Sequence, residues 1–132
     1  MARLRWAWPT AFLGFPIGGL TANLAVGEVD SAATAVMGGL IAGAIIGTAQ
    51  WLALRPLVAW TWIPATSVGM AAGLAVGTAL VDYGTSRPDL LLMGAVTGLG
   101  VGGPQAVLLA RRVAGAVWWA FLNPPAWALG WL

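Results

Sequence analysis

The chain has 132 residues, of which 60% are hydrophobic and 8% are charged. A soluble globular domain carries about a quarter charged residues, so this composition excludes an ordinary water-soluble fold. The six basic residues are all arginine and the net charge is only +2, which excludes the clustered basic face of a nucleic-acid-binding protein. Cysteine and histidine are absent, which excludes disulfides, thiol chemistry and the usual ligands of zinc and haem.

Charged residues divide the chain into five apolar intervals, because a charge at the bilayer centre costs at least about 2.5 kcal/mol. The intervals cover residues 6–27, 31–54, 57–81, 89–109 and 114–132. Each has about the length of a membrane-spanning helix, which needs roughly 20 apolar residues. The sequence therefore predicts a single all-α transmembrane domain over residues 1–132, with five membrane-spanning helices and short loops.

The arginines predict how these helices are oriented. Those on one predicted side of the membrane are Arg3, Arg5, Arg55, Arg111 and Arg112. The four acidic residues and Arg87 fall on the opposite side. Because positively charged loops stay in the cytoplasm, this pattern predicts a cytoplasmic amino terminus. We expect Arg55, Arg111 and Arg112 to anchor the chain at lipid headgroups, with an acidic patch of a protein partner as the alternative.

Tryptophans and loop residues add two further predictions. Indole rings favour the headgroup region, and an aromatic belt on the arginine side is predicted for Trp6, Trp8, Trp51, Trp60, Trp62, Trp118 and Trp119. Asp30 and Ser31 are predicted to cap the second helix, and the run from Ser86 to Asp89 the fourth. A cation or ligand site at the outer surface is the alternative function for these acidic residues.

An internal repeat becomes visible when the sequence is shifted by 55 positions. The residues Gly39, Gly43, Gly47 and Gln50 then fall on Gly94, Gly98, Gly102 and Gln105. The same shift places Pro9, Gly14 and Gly18 on Pro64, Gly69 and Gly73. The unit is a two-helix hairpin, so successive copies face the same way and form a parallel repeat. This pattern favours a sixth helix that the sequence lacks; the alternative is that the fifth ends near the outer interface.

Two segments carry a resemblance to other proteins. Residues 49–55 read Gln-x-Leu-x-Leu-Arg from Gln50 onward, and residues 104–109 are followed by Trp118 and Trp119. In this respect the chain resembles a loose group of uncharacterised bacterial membrane proteins, often from actinobacteria, that are rich in glycine and tryptophan. The second copy departs from the pattern at Ala106 and Ala110. The resemblance covers most of the chain after residue 38 and implies a bacterial plasma membrane location, but no activity.

Glycine ladders with a spacing of four residues are predicted to let neighbouring helices pack closely, because residues four apart share one face of a helix. The three ladders consist of Gly39, Gly43 and Gly47; Gly69, Gly73 and Gly77; and Gly94, Gly98 and Gly102. The alternative is that the grooves receive a partner helix, a lipid tail or a flat isoprenoid such as a carotenoid or quinone.

Four amides fall inside the predicted helices: Gln50, Gln105, Asn23 and Asn123. Amides within a bilayer usually form hydrogen bonds between helices, and this is the interpretation we adopt for the pair Gln50 and Gln105. A polar path through the bundle is the alternative. Asn123 lies beside Pro124 and Pro125, which must disturb the helix, so it is the best single candidate for a functional position.

The residue inventory predicts a protein that is not an enzyme, because the serines have no histidine or lysine to activate them. No metal site and no obligatory cofactor are predicted. We expect an accessory or scaffold protein that packs against itself as a homo-oligomer, or against a larger membrane complex, with membrane lipids as further partners and no nucleic acid. The alternative is a small carrier, channel or binder of an apolar or neutral solute, or of a bound lipid, quinone or carotenoid.

Overall fold

The computed structural model describes residues 7–9 and 11–132, and this part of the chain contains α-helices and no strand. The helices are α1 Gly14–Val26, α2 Ala32–Leu54, α3 Trp62–Leu80, α4 Arg87–Leu109 and α5 Val117–Gly130. The prediction of an all-α fold is confirmed for these residues. Arg3, Arg5 and Trp6 lie outside the described residues.

Four stretches of the chain are long and apolar enough to cross a membrane: Ala7–Val26, which contains α1 and residues before it, and the helices Ala32–Leu54, Trp62–Leu80 and Arg87–Leu109. A chain with several helices of this length and apolarity is a multi-pass membrane protein. The fifth predicted span, over residues 114–132, is shorter than expected, because α5 has only 14 residues. At 1.5 Å per residue it is about 21 Å long, whereas the hydrocarbon core is about 30 Å thick. A turn at Gly115, which has a φ of +76°, delays its start.

Proline and capping residues account for two other differences from the predicted intervals. α3 begins at Trp62 and not at residue 57, because Pro56 follows the end of α2 and the backbone turns there. α4 begins at Arg87, before the expected residue 89, because Ser86 is its capping residue. The Oγ atom of Ser86 accepts a hydrogen bond from the Asp89 amide at 3.4 Å, and the Asp89 carboxylate accepts one from the Ser86 amide at 3.0 Å.

The predicted cap of α2 is also confirmed. The Oγ atom of Ser31 accepts a hydrogen bond from the Thr34 amide at 3.3 Å, and the Thr34 side chain accepts from the Ser31 amide at 3.1 Å. Asp30 has a secondary role, since its carboxylate accepts a hydrogen bond from the Thr34 hydroxyl at 3.3 Å. These contacts satisfy backbone donors at a helix start that would otherwise have no partner.

Consecutive helices run antiparallel, and among the described residues only consecutive helices bring their backbones close together. α1 and the residues before it meet α5 through aromatic side chains instead. Trp8 and Trp119 have their ring centroids 6.1 Å apart, and Phe15 and Trp127 have theirs 5.5 Å apart. Each helix contributes to one central apolar cluster, whose buried members are Ala22, Ala42, Ile46, Met70, Val101 and Trp127. The five helices therefore form a ring with a filled interior.

The three glycine ladders lie at interfaces inside this ring. The ladder on α2 faces α3, the ladder on α3 faces α4, and the ladder on α4 faces α5. A Cβ atom placed on any of these glycines would lie 3.2 Å or less from an atom of the neighbouring helix. The prediction that the ladders mediate close packing is confirmed. The chain's own helices fill these three grooves, which leaves no room in them for a partner helix, a lipid tail or an isoprenoid.

Candidate functional site

The turns that carry the anchor arginines lie at one end of the ring. α2 runs toward the turn that contains Arg55, and α4 runs in the same direction toward the turn that contains Arg111 and Arg112. All three arginines are exposed. Gln50 and Gln105 lie in the last turns of these two helices, so both amides come to the same depth of the bundle, just inside the arginine end.

A hydrogen bond joins the two glutamines. The Nε2 atom of Gln105 donates to the Oε1 atom of Gln50 at 3.0 Å. Gln50 is 6% exposed and Gln105 is fully buried. The sequence-based interpretation of these amides as an interhelical pair is therefore confirmed.

Two tryptophans complete the pairing from the neighbouring helices. The Nε1 atom of Trp62 donates to Gln50 Oε1 at 3.1 Å, and the Nε1 atom of Trp119 donates to Gln105 Oε1 at 2.8 Å. An indole N–H can only donate, so the atom that it meets in each glutamine is the carbonyl oxygen. This fixes the orientation of both amides. Trp62 is fully buried, so its predicted place in an aromatic belt at the membrane interface is wrong.

Thr66 provides the remaining partner of Gln105. Gln105 Nε2 donates its second hydrogen to the Oγ1 atom of Thr66 at 2.7 Å, and the Thr66 hydroxyl in turn donates to the Trp62 carbonyl at 2.8 Å. We call Gln50, Trp62, Thr66, Gln105 and Trp119 the amide cluster. Within it, Gln105 uses its oxygen and both of its N–H groups.

Asn123 extends the amide cluster along α5. Its Nδ2 atom donates to the Trp119 carbonyl at 2.7 Å, and its Oδ1 atom accepts from Trp127 Nε1 at 3.2 Å. A Cβ atom placed on Gly102 would lie 2.6 Å from the Asn123 Cβ, so the glycine makes the space in which the asparagine sits. Asn123 thus acts as a packing residue beside the two prolines of α5. Asn23 is exposed on α1 and contributes no side-chain hydrogen bond to this group.

Sequence reasoning did not find several of the polar residues that matter here. The hydroxyl of Ser67 on α3 donates to the Leu40 carbonyl on α2 at 2.8 Å. Thr97 on α4 is fully buried, and its hydroxyl has no hydrogen-bond partner among the described residues. A usable signal exists for the tryptophans, since Trp62 follows Gln50 by 12 residues and Trp119 follows Gln105 by 14.

The chemistry of the amide cluster is neutral. Its polar groups are two amides, two indoles and a hydroxyl, none of which carries charge or titrates near neutral pH. Such groups hydrogen-bond to neutral partners and do not supply a proton relay of the kind that pumps use. No known family, curated protein or solved structure matches this chain.

Proposed function

We propose that this chain is an accessory or scaffold protein of the bacterial plasma membrane, which acts by helix packing with a second copy of itself or with a larger membrane complex. The observation that carries the proposal is the outer face of α5. Ala126 and Gly130 lie four residues apart on this face, both are exposed, and no atom lies within 4 Å of a Cβ placed on Gly130. The glycine ladders, which the chain fills itself, are not the surface that we propose.

Exposed leucines do not indicate a surface for another helix, because lipid tails are as apolar as leucine side chains. Small exposed residues are different, because they leave a shallow groove that a helix fills better than a lipid does. α5 follows α3 with an offset of 57 residues, the distance from Trp62 to Trp119, and on α3 the equivalent small-residue face, at Gly69 and Gly73, is covered by α4. Two small residues separated by three others also allow a helix to pack against an identical copy of itself, which favours self-association.

The parallel repeat of about 55 residues is part of this proposal. Matching contacts support it: on α1, Gly14 packs against Ile46, and on α3, Gly69 packs against Val101. The next turns also match, with Gly18 packed against Ala42, and Gly73 packed against Thr97. Continued by one helix, the pattern would cover the face of α5 that carries Ala126 and Gly130.

We further propose that the amino terminus is cytoplasmic and that the arginine end of the ring faces the cytoplasm. The chain lacks cysteine, so single cysteines can report on each end. In intact cells, a membrane-impermeant thiol reagent should label Thr85→Cys and should label Ala114→Cys only after the membrane is opened. The reverse pattern would show that the orientation is inverted.

Native mass spectrometry in mild detergent or in nanodiscs tests the scaffold function. The wild-type chain should give a dimer or larger oligomer, or bring a stable protein partner with it. Gly130→Leu should weaken the association at least about tenfold, since the leucine fills the groove. The matched control is Gly103→Leu on α4, which is also a helical glycine with no neighbour within 4 Å. A wild-type protein that stays monomeric and brings no partner would rule out the proposal.

A second candidate function, binding or transport of an apolar or neutral solute, is supported by a groove of about 380 Å³ between α1 and α2. Apolar side chains form most of its lining, including Ile45, Ala49 and Leu52. A co-purifying lipid, quinone or carotenoid in the same mass spectra would favour binding. Liposome flux that is unchanged in Gln50→Leu and Gln105→Leu would argue against transport through the amide cluster.

A further inference from the structure

The groove between α1 and α2 has an apolar lining that faces outward. Leu13, Ile17 and Leu52 line it, and each of these side chains is more than half exposed. Among the described lining residues the only hydroxyl is that of Thr48, which donates to the Ala44 carbonyl at 2.7 Å. The groove therefore suits a hydrocarbon chain and not a polar solute.

The groove exists because α1 and α2 approach each other less closely than α3 and α4. The Gly100 carbonyl lies directly against Gly69, whereas the Ile45 carbonyl, 55 positions earlier, lies 3.7 Å from a Cβ atom placed on Gly14. Ile45 itself lines the groove. A glycine on the facing helix allows close contact, and an isoleucine in its place holds the two helices apart.

Arg55 lies at one end of this groove. The lining residues of α2 recur at every fourth position, from Ala44 through Thr48 to Leu52. The backbone is still helical at Arg55, with φ −50° and ψ −23°, so this residue lies close to the same face, about 5 Å beyond Leu52. Arg55 is exposed, and the four acidic residues of the chain lie at the opposite end of the ring. The cation therefore has no side-chain carboxylate of the chain near it.

The dimensions of the groove match one leaflet of a bilayer. From Ala44 to Leu52 the groove extends about 12 Å along α2, and Arg55 lies about 17 Å from Ala44. Half of the hydrocarbon core is about 15 Å thick. A hydrocarbon chain in the groove would therefore stay within one leaflet, with its polar end at the level of Arg55. The volume of about 380 Å³ falls within the range of small-molecule sites, which is about 300–1,000 Å³.

We propose that the groove binds one acyl chain of an anionic phospholipid, whose phosphate group is held by the Arg55 guanidinium. A guanidinium donates two parallel hydrogen bonds to a phosphate, and a basic residue at the membrane surface favours anionic lipid about fivefold. A quinone or a carotenoid would fill the groove but has no anionic group for Arg55. The lipid site rests on the second candidate function, binding in this groove, and does not depend on self-association of the chain.

The second helix pair provides an internal control, because it lacks both features of the site. Ala110 stands where the first pair has Arg55, and Gly100 stands where it has Ile45. Gly103 corresponds to Thr48, and no atom lies within 4 Å of a Cβ atom placed on it. Substitutions at Thr48 and Gly103 therefore compare the groove with an open surface at the same place in the repeat.

Native mass spectrometry of the delipidated protein tests the role of charge. Dioleoylphosphatidylglycerol and dioleoylphosphatidylcholine have the same acyl chains, but only the first is anionic. The wild-type protein should bind one phosphatidylglycerol at least about fivefold more tightly than one phosphatidylcholine. Arg55→Gln should remove this preference, whereas Arg111→Gln, at an exposed position in the other turn, should retain it. Equal affinities in the wild-type protein, or equal losses in the two variants, would overturn the lipid site.

Substitution within the groove tests the place of the acyl chain. Thr48→Phe fills the groove and should weaken phosphatidylglycerol binding at least about fivefold, because the displaced lipid loses Arg55, whereas Gly103→Phe should leave it unchanged. In the Thr48→Phe background, Arg55→Gln should cause little further loss. Thr48 is exposed, so the ring can accept the larger side chain, and Thr48→Leu replaces this variant if it fails to fold. Fully additive losses would show that the two positions bind different lipids and would overturn the site.

The same spectra distinguish failure of the lipid site from failure of the proposed functions. An uncharged ligand that binds equally well to the wild-type protein and to Arg55→Gln, but not to Thr48→Phe, would overturn the lipid site and leave the second candidate function intact. Binding of neither phospholipid nor any uncharged molecule would contradict both. The scaffold function is judged separately, from the oligomeric state and from co-purifying proteins.

Discussion

The helix pairs α1–α2 and α3–α4 make contacts at corresponding positions, but their backbones approach to different degrees. Gly69 on α3 lies directly against the backbone carbonyl of Gly100. The nearest neighbour of a Cβ placed on Gly14 is the Ala49 side chain, at 2.8 Å, and the Ile45 carbonyl lies further away, at 3.7 Å. Isoleucine thus stands where α4 has glycine. A glycine on one helix is not sufficient for close packing in lipid, because the facing position must be small as well.

The polar contacts of the two pairs differ in the same direction. In the α3–α4 pair Gln105 donates a hydrogen bond to Thr66, whereas no side chain of α1 forms a hydrogen bond with Gln50. The pair with the tight backbone contact is therefore also the pair that a side-chain hydrogen bond joins. We expect the second pair to contribute more to stability than the first, and single substitutions at corresponding positions can test this.

Alanine at Gly69 and Gly14 should show the largest difference. Gly69→Ala places a methyl group against the Gly100 carbonyl, which cannot move without displacing α4, and should cost about 3 kcal/mol of unfolding free energy. Gly14→Ala meets mainly a side chain and should cost about 1 kcal/mol. Unfolding in mixed micelles with increasing denaturing detergent measures both. Equal losses would show that the two pairs are packed equally tightly.

Removal of the amides should give the next largest effect. Gln105→Leu leaves the Trp119 indole without its acceptor and removes one hydrogen bond each from the Gln50 oxygen and the Thr66 hydroxyl, so it should cost about 2–3 kcal/mol. Gln50→Leu breaks two hydrogen bonds, whereas Gln105→Leu breaks three, so the cost of Gln50→Leu should be about 1 kcal/mol lower. The same unfolding assay ranks the two variants. A larger loss for Gln50→Leu would show that the number of broken hydrogen bonds does not set the cost.

Valine substitutions at two fully buried threonines should change the stability of the fold in opposite directions. Thr66→Val removes an acceptor of Gln105 and should destabilise the fold by about 1–2 kcal/mol. Thr97→Val removes a hydroxyl that has no partner among the described residues and should stabilise the fold by about 1 kcal/mol. Both substitutions preserve side-chain shape, so thermal midpoints compare them directly. A destabilised Thr97→Val variant would show that this hydroxyl binds something in the folded protein.

The smallest effect is expected at Gly103, which stands in α4 where α2 has Thr48. A Cβ atom placed there meets nothing within 4 Å, so Gly103→Ala should stabilise the helix by about 0.5–1 kcal/mol. The gain is measurable as a raised thermal midpoint. If Gly103→Ala instead destabilises the protein, another helix packs on this face of α4 in the membrane.

Much of the fold was predictable because lipid imposes simple rules on a sequence. Charged residues marked the loops, Ser31 and Ser86 marked helix starts, and the spacing of the glycines identified faces that pack closely. The late start of α3, at Trp62 and not at residue 57, was not predictable from hydropathy, because the residues after Pro56 are as apolar as a helix interior. The short α5 escaped prediction for the same reason, since the turn before it contains no charged residue after Arg112.

The candidate site was predictable only in part. The positions of Gln50 and Gln105 in the repeat indicated that they meet, and they do. The roles of Trp62 and Trp119 were not predictable. A tryptophan near a helix end can equally lie at the membrane interface or donate a hydrogen bond inside the protein. The hydrogen bond from Gln105 to Thr66 depends on what lies opposite the amide on another helix, and such three-dimensional pairing is not visible in one sequence.

Cysteine cross-linking in native membranes tests most directly the central claim that the outer face of α5 packs against a second copy of the chain. The protein has no cysteine, so Ala126→Cys introduces a single thiol on this face, and Leu99→Cys on α4 introduces one on an exposed, lipid-facing control position. We predict that mild oxidation converts most of the Ala126→Cys protein, and little of Leu99→Cys, to a covalent dimer. Equal and low cross-linking of both variants would contradict the account.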